Sequence, residues 1–98
     1  MNKKEQKKRL IASRKHRLAS GKHFFSLKVK DIERNELIIN INHEGGEIYV
    51  NIFDENKMVV ALLDNPQTGD YHFTLAPNQK YKVVIKLVNH HGGYSVYF

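Results

Sequence analysis

From Phe24 to the end of the chain, apolar and polar residues alternate. Phe25, Leu27 and Val29 alternate with Ser26, Lys28 and Lys30. Leu37, Ile39 and Ile41 alternate with Ile38, Asn40 and Asn42, and Ile48, Val50 and Ile52 with Tyr49, Asn51 and Phe53. Residues 58–63 are apolar throughout. Tyr71, Phe73 and Leu75 resume the alternation, then Tyr81, Val83, Ile85 and Leu87, then Tyr94, Val96 and Phe98. A period of two puts each such set on one face of a half-buried strand. Turn-forming residues separate the runs at Asp31–Glu36, His43-Glu44-Gly45-Gly46, Asp54–Lys57, Asp64–Asp70, Ala76–Gln79 and Asn89–Gly93. The pattern predicts an all-β fold, a small seven-stranded antiparallel sandwich, because the intervals leave no room for helical crossovers.

Before Phe24 the period differs. Residues 3–20 read as a basic helix. Asn2 and Glu5 fit a capping box, Gly21 fits a helix stop, and Ile11 and Leu18 share a face seven residues apart. Leu10, Ile11 and Leu18 make a thin apolar side, enough to dock a helix lightly and too little for a core element. The expected division is a basic N-terminal helix or arm over residues 1–23 and a β-sandwich over 24–98. On this reading, removing residues 1–22 leaves the sandwich folded.

Charge reinforces that division. The 98 residues carry 16 Lys and Arg against 10 Asp and Glu, a net +6. Residues 1–23 hold nine basic residues and one acid, whereas 24–98 hold seven basic and nine acidic. The absence of cysteine excludes a disulfide framework, thiolate metal ligation and a cysteine nucleophile. No run approaches the roughly 20 apolar residues of a membrane span. After the basic start there is also no apolar core of about 7–15 residues, as a secretory signal requires. A cytoplasmic protein is expected.

Three segments carry a family likeness: Gly69-Asp70-Tyr71-His72-Phe73-Thr74-Leu75, Tyr81-Lys82-Val83-Val84-Ile85, and His91-Gly92-Gly93-Tyr94-Ser95-Val96. Together they resemble the last three strands of bacterial pre-peptidase C-terminal-type sandwich modules and related lipoprotein domains. The resemblance covers residues 24–98 and implies an accessory or binding module without catalysis. Such modules are usually extracytoplasmic and lack a basic leading helix, so the resemblance carries the fold and neither a location nor any functional residue.

The basic segment is the loudest chemical feature. Lys3, Lys4, Lys7, Lys8, Arg9, Arg14, Lys15, Arg17 and Lys22 crowd one element. Clustered cations of this kind are the footprint of nucleic-acid binding, and Arg adds bidentate phosphate contacts. An acidic protein surface is the alternative partner. A second feature is the outer-face apolar set Ile38, Tyr49, Phe53, Val84, Val88 and Tyr97, which reads as helix-covered or as an interface with a partner or a second copy. Base stacking on its aromatics ranks lower, because the strand with Tyr49 and Phe53 contains no Lys or Arg. Third, His43, His90 and His91, with Asp64 and Asp70, fall on loops expected at one rim, but in no recognised metal-ligand spacing.

No serine sits in a nucleophile elbow and no glycine-rich phosphate loop is present, so catalysis and nucleotide cofactors are not expected. Nor is membrane insertion, given the thin apolar face. The sequence therefore points to a small non-enzymatic binding protein. Its basic arm contacts nucleic acid or a nucleoprotein, and its sandwich makes protein contacts. Size and charge suit an inhibitor or regulator from a mobile element, of the anti-CRISPR kind. The alternatives are an accessory carbohydrate- or protein-binding module, or a structural subunit that self-associates through Ile38, Tyr49, Phe53 and Tyr97.

Overall fold

The computed structural model describes residues 8–98. The start of the expected helix, with Asn2, Lys3, Lys4, Glu5 and Lys7, lies outside the described residues. Five strands form one antiparallel sheet: β1 (Leu10–Val29), β2 (Glu36–Phe53), β3 (Val59–Asp64), β4 (Gly69–Thr74) and β5 (Gln79–Tyr97). The order is β1-β5-β2-β3, and β4 pairs with the first half of β2 just as β3 pairs with the second. Among the described residues, no helix is long and apolar enough to cross a membrane.

The structure corrects the helix. Residues 10–23 are strand, and β1 runs without a break through Phe24, so no boundary between arm and body falls there. Helix and strand propensities differ by only tenths of a kcal/mol per residue. The edge of β5 outweighs them, because without β1 its N–H and C=O groups stand unpaired along its length. Leu10, Ile11 and Leu18, the expected docking side, are exposed, while Ala12 and Ala19 pack on the core. Gly21 marks an irregularity within the strand and not a helix end.

Among the described residues the strands number five, where seven were expected. Two segments expected as hairpin turns, 43–46 and 89–93, are bends inside the long strands β2 and β5. The register slips at His43/Gly45/Glu47 in β2, and β1 slips beside it at Arg14/Arg17 and Ala19/Gly21. At each bend the chain gains a residue, and the buried side changes parity. Strand β2 buries Leu37, Ile39 and Ile41 before its bend and Ile48, Val50 and Ile52 after it. Strand β5 buries Tyr81, Val83, Ile85 and Leu87, then His90, Tyr94 and Val96. A bulge flips the face of everything beyond it. Here the flip keeps both halves turned toward a single apolar core.

Glycine makes the bend possible where backbones touch. Gly46 (φ 73°) and Gly92 (φ 126°) are left-handed. A Cβ on Gly46 would run into the Asn89 carbonyl, and one on Gly92 into the Asn42 carbonyl. Side chains satisfy the backbone groups that the bend frees. Asn65 accepts from the Ile48 N–H at 3.1 Å, Thr68 accepts from His43 N–H at 2.9 Å, and Ser20 accepts from Asn89 N–H at 2.8 Å. The remaining turns match the sequence reading. Asp31 caps a short 3-10 turn (Ile32–Arg34), and Asp54 caps the β2–β3 turn through Asn56 and Met58 N–H.

Candidate nucleic-acid interface

Beyond the bend, β1, β5, β2 and β3 lie side by side, and the face away from the core can be read row by row from the register. Lys28 opposes Lys80. Next comes Ser26, Lys82, Phe53 and Val59, then Phe24, Val84, Asn51 and Leu62. The last full row is Lys22, Lys86, Tyr49 and Asp64. This face is set by period two alone. The alternate residues Tyr81, Val83, Ile85 and Leu87 are buried, which turns Lys80, Lys82, Val84 and Lys86 outward.

Five exposed lysines thus share one surface with three aromatic rings. None of the five ammonium groups is ion-paired among the described residues. The Lys82 ammonium lies 4.9 Å from the centroid of the Phe24 ring, and that of Lys86 lies 6.0 Å from the Tyr49 ring. Phe24 is 66% exposed, with Lys82 as its cationic neighbour. Phe53, Val84 and Tyr49 are half-buried around it. A shallow depression at the Lys28–Lys80 end is lined by Ser26, Lys28, Lys80 and Lys82 and also by Asp54 and Glu55, and the Glu55 carboxylate accepts from the Lys80 N–H at 2.9 Å, so two acids offset part of the lysine charge there.

The face is polarised. Lysines occupy β1 and β5, whereas Glu47 and Asp64 sit at the β2–β3 corner. The Tyr49 hydroxyl donates to Glu47, and this bond raises the tyrosine pKa above its ordinary value, with burial and the charges of Glu47 and Asp64 adding to it. An anion is therefore favoured on the β1–β5 side and repelled from that corner.

Of the basic residues singled out in the sequence, Lys22 joins this face. Lys15 and Arg17 are exposed elsewhere on β1. Lys8 donates to the Glu36 carbonyl at 2.6 Å, and Arg9 pairs its backbone with Phe98. Arg14 turns toward the core side, where it donates to His23 Nε2 at 3.2 Å. His23 Nδ1 in turn donates to the Tyr94 hydroxyl at 2.6 Å. Burial, then Arg14, lowers the His23 pKa, and burial raises that of Tyr94 against the opposing pull of Arg14. Of the expected interface residues, Tyr49 and Phe53 belong to the lysine face. Ile38 and Tyr97 oppose each other on the other half of the sheet.

The histidine rim does not form as a cluster. His43 and His90 meet at the bend, with ring centroids 5.1 Å apart. His91 is exposed, Asp70 accepts from Asn40, and Asp64 lies opposite Tyr49. Among the described residues, no three His, Asp or Glu side chains are grouped to hold a metal. His90 is 1% exposed, and its Nε2, like His43 Nδ1, has no hydrogen-bond partner among the described residues. Burial, then His43, then His91, lowers its pKa.

The sequence carried a signal for the lysine face that the helical period of residues 1–23 obscured. Lys80, Lys82 and Lys86 fall at even spacings within a strand, as do Lys22 and Lys28. The pairing of β1 with β5 brings the two rows together. Comparison with known proteins finds no matching family model and no curated protein that matches this chain.

Proposed function

We propose that this protein binds nucleic acid through the outer face of β1, β5 and β2. The observation that carries the reading is the row pattern itself. Lys22, Lys28, Lys80, Lys82 and Lys86 converge from two strands, exposed and without ion pairs among the described residues. Four of the five lie in residues 24–98, where nine acids slightly outnumber seven basic residues, so their gathering on one face does not follow from composition. Phosphate neutralisation by Lys and Arg supplies most sequence-independent affinity for nucleic acid. The lysines of this face then act from strands β1 and β5. The bent sheet is read as the two layers of a sandwich, a reading supported by zero exposure of Ile39, Ile48, Ile52 and Ile85 on one side of it.

The test is fluorescence anisotropy with labelled oligonucleotides across a salt series. The triple variant Lys80→Ala, Lys82→Ala, Lys86→Ala is expected to weaken binding and flatten the log–log salt slope by about 2, at roughly 0.7 for each single-strand phosphate no longer neutralised. Unchanged affinity and slope in that variant would sink the reading. If Lys15→Ala, Arg17→Ala removes binding instead, the exposed cations of the first half of β1 are the contact.

A further inference from the structure

We infer that the ligand of this face is a single strand, with a base stacked on Phe24 and the phosphates running over the lysines of β1 and β5. The inference rests on the proposed nucleic-acid reading and deepens it. Three geometric facts lead to it.

The first is width. Four adjacent strands span about 14 Å between outer axes, before side chains are added. The major groove of B-form DNA is about 12 Å wide. The face therefore cannot enter a groove, and bases inside a duplex stay out of its reach. A single strand presents its bases directly.

The second is the placement of Phe24. Its exposed ring stands in the row between Ser26–Lys82 and Lys22–Lys86, so cations lie on both sides of it. The Lys82 ammonium lies over that ring at 4.9 Å, so a base that stacks on it takes the place of the ammonium, which is then free for a flanking phosphate. Base–aromatic stacking tolerates any sequence, because every base has a π-face. Phe53, one row along and two strands across, gives a second ring about 12 Å away at strand spacings.

The third is the acidic corner. Glu47 and Asp64 bar phosphates from the β2–β3 end. That fixes the orientation of the strand, with its backbone over β1 and β5 and its bases reaching toward Val84 and Phe53. Tyr49, held by Glu47, marks the limit of the site.

The experiment uses the full chain with labelled single-stranded DNA, single-stranded RNA and the matching duplex at one salt concentration. The single strands are expected to bind more tightly than the duplex. Phe24→Ala is expected to cost about 5- to 150-fold on single strands, the range for removal of one stacked base, with the salt slope unchanged. Phe24→Tyr should retain binding. The chain has no tryptophan, so Phe24→Trp introduces one fluorophore, expected to be quenched when a base stacks on it. The RNA and DNA arms decide which strand is preferred. Equal binding of duplex and single strand, with Phe24→Ala neutral, overturns this inference and leaves the lysine contact standing. Failure of every oligonucleotide to bind overturns both.

Discussion

At the bend, one imidazole is sealed where charge is costly. His90 lies within the core layer, opposite Ala19 of β1 and beside His43 of β2, with His91 next to it in sequence. Its pKa is lowered by burial first and by the two neighbouring histidines next, and His23 is lowered as well. In the unfolded chain these groups titrate near the ordinary value of about 6.5. Above that pH both states carry neutral rings and full stability is present. As pH falls below about 6.5, the unfolded chain takes up protons that the folded one refuses, and stability is lost down to the folded pKa values. Denaturant unfolding between pH 8 and 5.5 is expected to show this decline before the carboxylates begin to titrate. His90→Phe should flatten it, leaving the part due to His23. A decline of unchanged slope in that variant would remove His90 as its source.

At the scale of elements, the edge strands β1 and β3 are unlike. Strand β1 is a long edge guarded by Lys15, Arg17, Lys22 and Lys28, and charge of this kind discourages pairing with other chains. Strand β3 is a short edge with Val59, Val60 and Leu62 exposed, preceded by the exposed Met58, and no charge lies between Lys57 and Asp64. Leu62→Lys is therefore expected to reduce concentration-dependent association in light scattering. Because Leu62 is exposed, unfolding free energy should stay within about 0.5 kcal/mol of the parent. The same contrast explains what was legible in the sequence. Alternation identified the inward faces of β2, β4 and β5 and the Asp31 and Asp54 turns, since those follow from local chemistry. The segments 43–46 and 89–93 read as hairpin turns because glycine and asparagine serve a hairpin and a bulge equally well. The first half of β1, up to Ser20, reads as a helix because its local pattern is helical in period, and only the free edge of β5 makes it a strand; the second half, from Phe24, reads as a strand by its own alternation. The lysine face was hidden for the same reason, as half of it depends on that pairing.

The whole molecule is organised by one fold line crossing three long strands, at Ala19–Gly21, Gly45–Glu47 and Asn89–Gly92. Each strand contributes to both sides of the line, so neither half has a complete set of elements without the other. A cut before Phe24 removes β1 on one side and most of its crossing. It takes away Ala19 from the core, Ser20 from the Asn89 backbone, and both Arg14 and His23 from Tyr94. It also bares the β5 backbone from Ile85 to Tyr97, apolar on its inner side. A fragment of residues 24–98 is therefore expected to lack the cooperative thermal transition of the full chain. Circular dichroism melts and proton NMR dispersion of the fragment and the full chain check this. Should the 24–98 fragment melt cooperatively near the full chain's temperature, β1 would be an attachment to a self-sufficient sheet. Its lysines would then be separable from the face. If the fragment fails to fold, the strand that completes the core is also the strand that brings Lys22, Phe24 and Lys28 to the ligand. Binding and folding would then depend on the same pairing of β1 with β5.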